Sequence, residues 1–151
     1  MNYKSINKLK EIIDNKPFKK IFILTGKNSY YKSGASKILP SILLNKIHKF
    51  YFKKSYYPEI KELKYIYLQI KKFNPDLVIA LGGGSVIDYS KIVNVLKFSF
   101  DVDKKIKKNT YKIKKKSFNL LVIPTTAGSG AEVTSNAVIY INKIKYSIEH
   151  K

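Results

Sequence analysis

The chain has no cysteine, and none of its 30 basic residues is arginine, although its formal charge is +20 over 151 residues. The missing thiols exclude disulfides, cysteine-ligated zinc and thiol nucleophiles, and they fit a reducing compartment. The missing guanidinium forks argue against base-edge reading of a nucleic acid, where bidentate recognition leads. The surplus of Lys, Ile, Asn, Tyr and Phe is what an A+T-rich coding sequence produces, so the charge has a mutational source. Histidine is scarce: His48 and His150 are the two, and neither has a second imidazole or a carboxylate at metal-ligand spacing. No apolar run nears the roughly 20 residues that span a bilayer, and no basic start followed by an apolar run marks a signal peptide. The expectation is a soluble, cytoplasmic protein with neither a membrane nor a nucleic-acid partner. Lys104-Lys105-Ile106-Lys107-Lys108, Lys112 and Lys114-Lys115-Lys116 read as a solvated loop whose cationic field speeds the arrival of phosphorylated ligands.

What is present is an alternation of short apolar runs with helical patterns. Ile6, Leu9, Ile12 and Ile13 recur at helical spacing. Ile21 to Leu24 is a buried-strand run ended by Thr25-Gly26, and a helical stretch follows through about Leu44. Ile47 to Phe52 forms a second strand, and Ile60, Leu63, Ile66, Tyr67 and Ile70 mark a helix that closes before Asn74-Pro75. Leu77 to Leu81 is a third strand, with Val86, Ile87, Ile92, Val93 and Leu96 on the helix after it, and Leu120 to Ile123 is a fourth. Strands apolar throughout and separated by helices predict an α/β fold, a parallel sheet flanked by helices in one domain spanning residues 1–151. Ala137 to Ile141, Asn142-Lys143 and Ile144 to Ile148 predict a β-hairpin near the C-terminus.

Two glycine-rich segments follow the third and fourth strands. In the first, Gly82-Gly83-Gly84-Ser85-Val86-Ile87-Asp88-Tyr89-Ser90-Lys91, three glycines exceed what a strand-to-helix turn needs, which implies a close approach to the backbone. Unobstructed N–H groups at the positive end of a helix suit a phosphate or pyrophosphate. Ser85 can cap the helix and donate to a ligand oxygen, and Asp88 suits its first turn. A plain tight turn capped by Asp88 is the alternative, and the Gly-x-Gly-x-x-Gly spacing of the usual Rossmann fingerprint is absent. The second segment, Ile123-Pro124-Thr125-Thr126-Ala127-Gly128-Ser129-Gly130-Ala131-Glu132-Val133-Thr134, sets hydroxyls and two more glycines where a strand leaves the sheet.

These two segments, in this order and strand context, closely resemble the iron-containing alcohol dehydrogenase family, which is itself similar to glycerol dehydrogenases and dehydroquinate synthases. Leu24-Thr25-Gly26-Lys27 also matches. The resemblance covers essentially the whole chain but only the N-terminal half of a family member. It implies a Rossmann-like, dehydroquinate-synthase-type N-terminal domain and an NAD(P)-dependent oxidoreductase that interconverts an aldehyde and an alcohol. Gly83, Gly84 and Ser85 would hold the pyrophosphate, and Thr125 and Thr126 would lie near the ribose and nicotinamide. Ser129 would face the cofactor, and a lysine of the hairpin would join them, either Lys145 or, by a small shift, Lys143. NAD-preferring members often carry an acidic residue where Gly26 stands. Gly26 with Lys27 and Ser29 leaves room and donors for a 2′-phosphate, so NADP is preferred over NAD. Tyr57 replaces an asparagine that many members place before the proline, here Pro58.

The family's metal ligands, an aspartate and three histidines, lie in a C-terminal helical domain that this chain does not contain. The resemblance therefore implies Fe2+ or another divalent metal only together with that domain, no catalytic residue within this chain, and a homo-oligomer for the full-length homologue. Thr25 to Tyr30 and Lys32-Ser33-Gly34-Ala35 look most like members that reduce phosphonate-bearing aldehydes such as phosphonoacetaldehyde. A non-catalytic nucleotide-binding module, an enzyme of the dehydroquinate-synthase or glycerol-dehydrogenase type and a basic nucleic-acid binder are the other readings. The pair of glycine-rich strand ends separates the last from the rest.

Overall fold

Each apolar run becomes an element. In the computed structural model, which describes residues 3–149, α1 (Tyr3–Asp14) precedes β1 (Lys20–Gly26), α2 (Lys27–Lys32), α3 (Ala35–Ile42) and β2 (Ile47–Lys53). Then come α4 (Ile60–Phe73), β3 (Leu77–Gly82), α5 (Gly84–Val95), α6 (Val102–Lys107) and β4 (Asn119–Pro124), and the chain closes with β5 (Asn136–Ile141) and β6 (Ile144–Glu149). His150 and the side chain of Ile6 lie outside the described residues. β1 to β4 form a parallel sheet in the order β2-β1-β3-β4, and β5 and β6 form the antiparallel hairpin.

Successive strand side chains point to opposite faces, and both faces are covered, which is why the strands are apolar without alternation. Phe22, Leu24, Val78 and Ala80 pack with α4, α5, α6 and the hairpin, while Ile21, Ile23, Leu77, Ile79 and Leu81 pack with α1, α2 and α3. All six residues of the central strand β3 are buried. Burying a side chain such as Ile79 contributes about 2 kcal/mol, so truncating it to alanine costs about 3 kcal/mol once the cavity is included.

Two expectations change. The helical stretch after Thr25-Gly26 is two short helices, because Gly34 adopts a left-handed φ of 80° and breaks the run at Ser33-Gly34. The lysine-rich stretch is not all loop: Val102 and Ile106, four residues apart, are buried against the core, and that pair winds Val102–Lys107 into a helix with its lysines outward. No described helix is long and apolar enough to cross a membrane.

The strand order positions the site. From β1 the chain runs outward to β2, then crosses back to β3 on the other side of β1. The carboxyl ends of β1 and β3 therefore flank a topological switch point, where open α/β sheets leave a crevice.

Candidate functional site

Parallel pairing of β3 with β4 sets Gly82 beside Pro124, and the Thr125 N–H donates to the Gly82 carbonyl at 3.0 Å. The two glycine-rich turns thus lie side by side. A Cβ on Gly82 would fall 2.6 Å from the Val86 side chain, one on Gly83 would fall 2.9 Å from Thr126 Oγ1, and one on Gly84 would fall 3.3 Å from Ser129 Cβ. Gly83 has a φ of −82°, which any residue can adopt. Its glycine is required for room, and the groups that take that room are the hydroxyl side chains of the neighbouring turn. Gly128 and Gly130 differ, since their φ values of 85° and 58° demand left-handed backbone.

Gly83 is the N-cap of α5, and no side chain caps the helix. The first N–H groups of a helix have no intrahelical acceptor, so those of Gly84 and Ser85 face the crevice as free donors. Ser85 is therefore not a cap but the second residue of the helix. Asp88 does not cap either. It sits five residues into α5, is 9% exposed, and lines a cleft of about 330 Å³ with Ser85, Ser129, Tyr57, Tyr140 and Lys145. Burial raises the Asp88 carboxyl to about 6, against the pull of the Val138 N–H and of Lys91 and Lys145. Lys145 faces this cleft from β6, whereas Lys143 stands at the hairpin turn with a φ of 66°.

Two loops shape the cleft. Lys91 Nζ donates to the carbonyls of Ala131, Thr134 and Asn136, clamping residues 131–136 over α5. Across the cleft, Glu62 accepts from the Lys54 and Ser55 N–H groups at 2.6 and 2.9 Å and from the Tyr51 and Tyr89 hydroxyls, both at 3.0 Å. Burial pushes the Glu62 carboxyl up, but these bonds outweigh it and hold it below the usual range. The Tyr89 hydroxyl also accepts the Glu59 N–H at 2.6 Å, and the Tyr140 N–H donates to the Pro58 carbonyl at 2.7 Å, tying the hairpin to the same loop. Tyr57, in the place of the family's asparagine, packs on the Tyr140 ring 5.1 Å away.

At the far end of the row, Gly26 pairs in register with Lys53, and Ser29 lies in the first turn of α2 beside it. Gly26 and Ser29 stand at the end of β1, Gly83, Gly84 and Ser85 at the end of β3, and Thr125, Thr126 and Ser129 after β4. Of the two candidate hairpin lysines, Lys145 lines the cleft and Lys143 does not. The roles of Glu62, Lys91, Lys53 and Asp88 escaped sequence reasoning. Asp88 and Lys91 share a helix face at i, i+3, which was a usable signal, whereas Lys53 meets Gly26 only through strand register.

The donor set fits a dinucleotide, because an uncapped helix start at the switch point can receive a diphosphate while hydroxyls and an ammonium line the cleft beside it. It does not fit a catalytic metal. Among the described residues no three His, Cys, Asp or Glu side chains converge, and His48 is exposed on β2 with its Nδ1 3.0 Å from the Lys46 carbonyl.

The model of the iron-containing alcohol dehydrogenases matches residues 1–151. An alcohol dehydrogenase of Thermococcus barophilus is 36% identical over 97 residues, covering 60% of this chain and 26% of the relative. A long-chain primary alcohol dehydrogenase of Thermoanaerobacter ethanolicus is 31% identical over 147 residues, covering 94% of this chain and 37% of the relative. The NADH-dependent butanol dehydrogenase A of Thermotoga maritima superposes with a TM-score of 0.83 at 26% identity, over 99% of this chain and 38% of that one. The sulfoacetaldehyde reductase of Bifidobacterium kashiwanohense, solved with NAD+, shares the fold with a TM-score of 0.81 at 22% identity, over 100% of this chain and 40% of that one. The chain thus spans well under half the length of the relatives it matches, and it belongs to the iron-containing alcohol dehydrogenase family.

Proposed function

We propose that residues 1–151 are the dinucleotide-binding domain of an alcohol dehydrogenase or aldehyde reductase, and that they orient the nicotinamide for hydride transfer. The observation that carries this reading is the pairing of two glycine-rich turns at the carboxyl ends of β3 and β4, with the uncapped start of α5 between them and the cleft. Gly83, Gly84 and Ser85 hold the pyrophosphate through backbone donors and the Ser85 hydroxyl. Thr125, Thr126 and Ser129 contact the ribose and the nicotinamide end, and Lys145 hydrogen-bonds from the hairpin. Gly26 and Ser29 border the adenosine ribose, where the missing carboxylate favours NADPH over NADH.

The substrate is a small aldehyde or primary alcohol, and a sulfoacetaldehyde reductase of Bilophila wadsworthia, 30% identical over 92 residues, supports an aldehyde bearing an anionic group. A helical domain outside this chain completes the substrate pocket. That domain also carries the metal, for which the described residues here have no ligand set.

Fluorescence titration of the 151-residue chain with NADPH tests the reading. Saturable binding is expected. Gly83→Val should abolish it, because the added side chain drives Thr126 out of place and crowds the pyrophosphate. Undiminished binding in that variant would overturn the assignment of the glycines.

A further inference from the structure

We propose that Lys53 is the cation that reads a phosphate on the adenosine 2′-oxygen, so that β2 sets the cofactor choice of this chain. The inference rests on the dinucleotide reading above. Gly26 and Lys53 are register partners at the ends of β1 and β2. A Cβ on Gly26 would lie 3.5 Å from Ser29 Oγ and 3.9 Å from Lys53 Cε, so the volume that a side chain at position 26 would fill is bordered by a hydroxyl and by the last methylene before an ammonium. A carboxylate in that volume would neutralise the ammonium. Glycine leaves the charge and the space open together.

The Lys53 ammonium is also aimed. Its Nζ donates to the Ser55 carbonyl at 2.6 Å and to the Tyr56 carbonyl at 3.3 Å. An ammonium has three donors, so one remains for a ligand. Neither ion pair among the described residues involves Lys53. The turn that supplies the two carbonyls is fixed by the Glu62 bonds to Lys54 and Ser55, so the ammonium is held in place before a ligand arrives. Burial disfavours the bare ammonium, with Glu62 opposing that effect, and a phosphate dianion brought against it relieves the same penalty. Lys27, by contrast, is exposed at the start of α2.

Isothermal titration of the 151-residue chain with adenosine 2′,5′-bisphosphate and with ADP tests this. The wild type should bind the bisphosphate about tenfold tighter or better, Lys53→Met should cut that preference below about threefold with ADP affinity changed less than about twofold, and Lys53→Arg should keep it. A preference that survives Lys53→Met overturns the proposal and leaves the NADPH reading standing. Equal weakening of both probes by Lys53→Met also overturns it, since a lysine that only fastens the turn would act that way. No preference in the wild type overturns both. A second measurement needs no variant: the Lys53 13Cε resonance should move with the bisphosphate and stay still with ADP, and a resonance that ignores the bisphosphate contradicts the proposal.

Discussion

The two loops that flank the cleft are held by opposite chemistry. Residues 131–136 are gathered through their carbonyls by the Lys91 ammonium, whereas residues 54–59, whose Ser55 and Tyr56 carbonyls Lys53 holds, have three of their amides fixed as well by the Glu62 carboxylate and the Tyr89 hydroxyl. The carboxylate is 8% exposed and has four partners fixed by surrounding structure, while three of the four Lys91 contacts are exposed. A buried anion with every lone pair occupied makes a rigid anchor, because losing it strands several donors away from water. A cation on a long stem makes a clamp that can release and reclose. The side of the cleft built from residues 54–59 is therefore the more rigid of the two, and under the dinucleotide reading proposed above it is the adenosine side.

The largest effect should come from Glu62→Ala, which strands the hydroxyls of Tyr51 and Tyr89 and two N–H groups; a loss of about 4 kcal/mol in urea unfolding is expected. A loss under about 1 kcal/mol would make the two loops equivalent. Asp88, between Lys91 and Lys145, sharpens the contrast through pH. Its carboxyl rises from 3.8 in the unfolded chain to about 6 when folded, so the folded chain holds a proton that the unfolded chain gives up between those values. Stability contributed by the protonated form is complete below about pH 4 and is lost as pH rises through 6. Asp88→Asn, which cannot ionise, should exceed the wild type by at most about 3 kcal/mol at pH 7, with the gain gone near pH 4. A gain that does not depend on pH would show that burial does not control this carboxyl. The smallest effect belongs to Lys91→Met, about 1 kcal/mol globally, with faster amide exchange confined to residues 131–136. Spread of that exchange to residues 54–59 would break the separation of the two loops.

Much of this was legible in the chain itself. Strand runs such as Ile21 to Leu24 and Leu77 to Leu81 are apolar at every position because both faces are covered, and a short buried run bounded by turn residues is a local signal. The glycine triplet and the threonine-rich turn were visible for the same reason. What the triplet is for was only half visible: the close approach it permits is made first by Thr126 and Ser129, which lie more than 40 residues along the chain and become neighbours through the pairing of β3 with β4. The Gly26–Lys53 corner and the Glu62 anchor depend on strand register and on a helix that follows the loop it holds, and neither leaves a local pattern. The helical α6 was obscured by its lysines, since only Val102 and Ile106 signal a buried face there.

The central claim is that the carboxyl ends of β1, β3 and β4 form one dinucleotide site. A 15N–1H correlation spectrum of the 17.4 kDa chain during an NADPH titration tests it most directly. Saturable shifts should cluster at residues 26–29, 53–57, 83–85 and 125–129 and at Lys145, while residues 104–108 and 142–143 stay unmoved. Shifts confined to the lysine-rich segment 104–116, or none in 83–85 at saturation, would contradict it.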